Sequence, residues 1–139
     1  MIALIQRIRL DSAPELGEAL LWLARGDTAR AVAGLSGMAR HLPADGGRAD
    51  LLALAGDLAL AVHDYDQAEL FLHEALVADS LGPAAPAAEY ALALLLAETD
   101  RTDLAVSRLE HLILAHTASA VVPEARRMLN RLQGAIPES

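Results

Sequence analysis

The stretch His63–Leu76 reads HDYDQAELFLHEAL. Two histidines, two aspartates and two glutamates in so short a span pose a choice between a metal or acid–base site and one piece of a structural repeat. The spacing argues against chemistry. A zinc-protease helix needs His-Glu-x-x-His, and His73-Glu74 is followed by Ala75, Leu76 and Val77, so the second ligand is missing. A di-iron bundle needs Glu-x-x-His, and no glutamate has a histidine three residues on. Leu70, Leu72, Ala75 and Leu76 instead form the apolar face of a helix. Asp66 with Glu69 reads as a capping pair at its start, and His73 and Glu74 fall on its outer face.

Moving outward, turn signals cut the chain at 25–28, 42–47, 63–66, 80–83, 99–102 and 116–119. The pieces between them predict helices over 14–25, 28–41, 47–62, 66–79, 84–98, 102–115 and 121–133, with another over 2–10. Thr28 and Thr102 sit at helix starts, and Pro14, Pro86 and Pro123 lie early in theirs, where a missing N–H does little harm. Hydrophobic residues make up 54% but aromatics only 3%, so Ala and Leu supply most of the apolar content and favour helix over strand.

The pieces repeat. Ala31, Ala68 and Ala105 are spaced by 37 (68 − 31 and 105 − 68). Four residues after them stand Leu35, Leu72 and Leu109, and five before them the turn residues Gly26, His63 and Asp100. The preceding helices carry a small column, Ala19, Gly56 and Ala93, and an apolar one, Trp22, Ala59 and Leu96. Small residues let two helices approach; large ones fill the space between pairs.

These columns resemble the tetratricopeptide repeat family, whose unit is a helix pair of about 34 residues. The second unit matches through Leu52, Gly56, Tyr65, Ala68, Leu72 and Ala75, the first through Gly26, Ala31, Leu35 and Pro43, the third through Ala93, Leu96, Ala105 and Leu109. Glu15, Glu18 and Glu89 depart from it, standing where the family has large apolar residues. The resemblance implies one domain over 1–139, an all-α, right-handed α-solenoid of three helix pairs at 12–45, 49–82 and 86–119. A helical segment at 1–11 precedes them and a capping helix at 121–133 follows. A second resemblance lies in His116–Ala125, HTASAVVPEA, which is similar to the inter-repeat connection of bacterial cell-envelope repeat proteins, with Thr117 in place of the first proline.

No nucleophile elbow, phosphate loop or dinucleotide fingerprint occurs, so the chain reads as non-enzymatic, with no catalytic, metal or cofactor-binding residues. A net charge of −8 repels phosphate backbones, and four aromatic residues offer little base stacking, which argues against nucleic-acid binding. The absence of cysteine excludes disulfides and thiol nucleophiles. The longest apolar run, Tyr90–Ala97, falls short of the roughly 18 residues a membrane span requires. MIALIQRIRL at the start lacks a cleavage site; the expectation is a cytoplasmic protein if Met1 is the true start, and a cell-envelope or periplasmic one if an upstream targeting segment is missing.

The resemblance implies a concave groove lined by the first helices, formed by Leu16, Leu20 and Leu23, then Asp50, Ala53, Asp57 and Leu60, then Tyr90, Leu94, Ala97 and Glu98. Such a surface is apolar with an acidic edge and suits a peptide or amphipathic helix with apolar anchors and some basic residues. The family's lysine clamp for a C-terminal carboxylate has no counterpart, because the chain has no lysine. Two readings stand: a scaffold binding a protein or peptide in this groove, or a self-associating unit that buries the groove in a homo-oligomer.

Overall fold

Gly26, His63 and Asp100 all adopt the left-handed backbone conformation, with φ of 82°, 61° and 63°. After each, the next N–H reaches back five residues: Asp27 to the carbonyl of Trp22 at 2.9 Å, Asp64 to Ala59 at 2.9 Å, Arg101 to Leu96 at 2.8 Å. The bond satisfies a carbonyl that a helix end would otherwise leave open. Glycine takes this conformation without penalty, whereas His63 and Asp100 carry a cost of about 1 kcal/mol each. One turn is thus built three times at the spacing of 37, joining α1 (Ala13–Ala24) to α2 (Thr28–Ala39), α3 (Ala49–Ala61) to α4 (Tyr65–Ala78), and α5 (Ala85–Glu98) to α6 (Thr102–Ala115).

A computed structural model of the chain describes residues 13–43 and 47–135, with side chains at 17–43 and 47–134. Among these residues there are seven helices and no strand, the last being α7 (Val122–Ala135). The observed bounds lie within two residues of those predicted; the helix expected over 2–10 lies outside the described residues. Consecutive helices pack on each other throughout, and α3 also packs on α5, which makes an all-α solenoid of helix pairs closed by α7.

The repeat columns are the core. Ala31, Ala68 and Ala105 are buried, as are Leu35, Leu72 and Leu109, and a buried leucine contributes about 2 kcal/mol. Gly56 is small for a reason: a Cβ there would stand 2.7 Å from Cγ of Leu72, so α3 and α4 meet in the space a side chain would occupy. One apolar cluster runs from α1 to α6 through Val32, Leu35, Leu52, Phe71 and Leu92; a second joins α5, α6 and α7 through Ala93, Leu109, Leu112, Val122 and Met128.

The caps differ from expectation. Asp66 and Glu69 form no capping box. Asp64 caps α4 by accepting from the Gln67 N–H at 3.4 Å, and Asp27 caps α2 by accepting from Arg30 N–H at 3.2 Å. Thr28 and Thr102 are the first helical residues, one place inside the caps. An aspartate just before the helix reaches its free N–H groups directly, and this leaves Glu69 available for a distant partner.

Candidate functional site

Among the first helices α3 packs on α5, whereas clefts separate the second helix α4 from α2 on one side and from α6 on the other. On the first helices, Leu20 and Leu60 are half-buried against the larger apolar cluster, and Leu23 is half-buried on α1. Tyr90 and Leu94 are half-buried against the C-terminal cluster, beside Val122 and Met128 of α7. Ala97 touches both clusters, Ala53 is buried and Asp50 half-buried. Leu16 lies on α1 with its side chain outside the described set.

Asp57 is the exception within this row. It is exposed to solvent, yet burial pushes its carboxyl up to about 6. Exposure and crowding coexist where water reaches a carboxylate that protein atoms still surround in part. The water that reaches it screens the charge, so the exposure limits how much of this shift counts as stability.

Glu98, the other acid expected on the rim, is exposed at the end of α5 and accepts a hydrogen bond from the Tyr65 hydroxyl at 3.1 Å; that hydroxyl stands 3.0 Å from Nδ1 of His63. Partial burial, and then the Glu98 carboxylate, push the Tyr65 phenol up. Beside it Arg101 grips Glu69 with two hydrogen bonds of 2.6 and 3.0 Å, which hold the Glu69 carboxyl below the usual range. The turns between α3 and α4 and between α5 and α6 are therefore tied together at one end of the stack.

Sequence reasoning missed the other charged constellation. Glu89 is 1% exposed within α5, with Nδ1 of His111 2.5 Å away, Nε2 of His116 at 3.8 Å and a guanidinium nitrogen of Arg108 at 3.9 Å. The local signal was only that Glu89 occupies an apolar column; its partners lie 19 to 27 residues on, beyond any helical spacing. His111 and His116 both turn toward this acid. Among the described residues no group of histidine, aspartate and glutamate is arranged to hold a metal ion, and no helix is long and apolar enough to cross a membrane.

Of the clefts that border α4, two share His73. One, of about 430 Å³, lies between the end of α2, the start of α3 and α4, and is lined by Arg40, Arg48, Leu70, His73, Glu74 and Val77. The other, of about 410 Å³, lies between α4 and α6 and is lined by Glu69, His73, Arg101, Leu104, Arg108 and His111. No protein-family model matches the chain, and no curated protein sequence matches it.

Proposed function

We propose that the chain is a non-enzymatic interaction scaffold of the tetratricopeptide type, binding a peptide or amphipathic helix with basic residues on the side of its first helices. The three identical turns and the buried 37-residue columns support the repeat reading, and the connection before Pro123 favours the bacterial cell-envelope kind. The observation that carries the binding side is Asp57: an accessible carboxylate, crowded by protein, on the same helix as half-buried Leu60. A cation placed against such a carboxylate favours its ionised form.

The experiment is a fluorescence-anisotropy titration with a basic, leucine-bearing helical peptide between pH 5 and pH 7. The peptide's cation lowers the Asp57 pKa from its raised value, so affinity climbs as pH rises through about 6. Asp57→Asn flattens that rise. Affinity independent of pH, or unchanged by Asp57→Asn, removes Asp57 from the binding surface. Light scattering on the free protein separates the alternative: a stable homo-oligomer that the peptide fails to dissociate places the self-associating unit ahead of the scaffold.

A further inference from the structure

We propose that the outer face, formed by the two clefts flanking α4, docks an acidic, leucine-bearing helical segment of a protein partner. The two clefts share His73, so they form one surface that crosses α4. Its apolar part is open: Leu70, Val77 and Leu104 are 51%, 84% and 54% exposed. Contiguous exposed apolar side chains mark interfaces.

The charge selects the occupant. The chain carries −8 overall, yet four of its eleven cationic side chains, Arg40, Arg48, Arg101 and Arg108, line these clefts. Three of the four already face acids: Arg40 lies 3.9 Å from Glu74, Arg101 grips Glu69 at 2.6 Å, and Arg108 lies 3.9 Å from Glu89. Arg48 is left over, with its Nε buried and without a hydrogen-bond partner. Arg108 and His111 are held at the wall of the second cleft by Glu89 behind them. A phosphate backbone fits less well: no Phe, Tyr or Trp lines either cleft to stack a base, and the net charge repels a polyanion.

The two clefts lie on opposite flanks of one helix, ~10 Å apart. Residues seven apart on a helix are separated by about the same distance, so the matching segment carries two leucines at that interval with glutamates beside them.

The test uses a fluorescein-labelled peptide of that design, the same peptide with lysine replacing glutamate, and the full 139-residue chain. Saturable binding of the acidic peptide, with the lysine peptide at least about tenfold weaker, is expected. Val77→Glu and Leu104→Glu, at exposed positions in either cleft, should each weaken it by about tenfold. Leu114→Glu, at a position 80% exposed on α6 and lining neither cleft, should leave it unchanged. Circular dichroism checks that the variants keep their helix content. Asp57→Asn should not alter this affinity, so failure here is separable from failure of the first-helix reading. The proposal is overturned by lack of saturation up to about 1 mM, by equal binding of both peptides, by insensitivity to both variants, or by duplex DNA displacing the peptide.

Discussion

The second and third helix pairs share one backbone plan and fill it with opposite chemistry. Thirty-seven residues before Glu89 stands Leu52, buried in the larger apolar cluster. The same shift takes Arg108 to Phe71, His111 to Glu74 and His116 to Asp79. Where the second pair has a buried leucine with an aromatic ring and two acids in the surrounding columns, the third has a buried acid with three bases. The replacement is concerted: an acid moved inside is matched by a base at every neighbouring column. A repeat fold therefore constrains the geometry of a position more tightly than its polarity, provided that charge is compensated across the helix pair.

Breaking the second pair should have the largest effect. Leu72→Ala removes the side chain that fills the space above Gly56, and a loss of about 2–5 kcal/mol in urea denaturation is expected. A loss below 1.5 kcal/mol would indicate that α3 and α4 close over the cavity. In the third pair, Glu89→Ala leaves Arg108, His111 and His116 without their acid and should cost about 3 kcal/mol. The comparison sharpens in the double variant Glu89→Leu with Arg108→Phe, which rebuilds the second pair's chemistry in the third. It should recover to within about 1 kcal/mol of the parent, and no recovery would mean that the two pairs are not interchangeable.

Gly56→Ala comes next. It adds helix propensity but drives a methyl group into buried Leu72, for a net loss of about 1–2 kcal/mol. The same substitution at Gly37 of α2, where nothing lies within 4 Å of an added Cβ, should be neutral or stabilising and serves as its control. The smallest effect concerns Asp57, whose counterpart in the third pair is Leu94. Its folded pKa of about 6 exceeds the ordinary aspartate value of 3.8, so the native state binds more protons than the unfolded state between them. Stability due to this group is therefore highest in acid and falls as pH rises through that window. Asp57→Asn should raise the melting temperature at pH 7 and leave it unchanged near pH 4. The exposed position limits the gain to below about 1 kcal/mol. A variant less stable at pH 7 would show that the carboxylate has a stabilising partner.

Much of the fold was legible because it is local. A left-handed turn, an alanine four residues before a leucine and a proline at a helix start act over one turn of helix, and helix bounds followed from them to within two residues. The expected inner row was only partly legible. Periodicity assigned Tyr90 and Leu94 to the right helix, but how much of each remains open depends on α7, which packs its Val122 and Met128 beside them. The reading of Glu69 as a cap failed because Arg101, 32 residues on, offers a stronger, bidentate partner than a backbone N–H that Asp64 already serves.

By itself the sequence determined the all-α class, the seven described helices, their pairing and the repeat of 37, since each depends on backbone propensity and apolar spacing within about ten residues. The tertiary structure alone decided where the charges go: Glu89 inward to three bases from the next helix and its end, Glu69 to Arg101, Asp57 to a crowded but exposed position, and Arg48, its Nε without a hydrogen-bond partner, beside a cleft. Coulomb interactions and desolvation depend on distance in space rather than along the chain, so the same formal charge becomes a core element, a tether or a free surface group according to what the stacked pairs bring next to it.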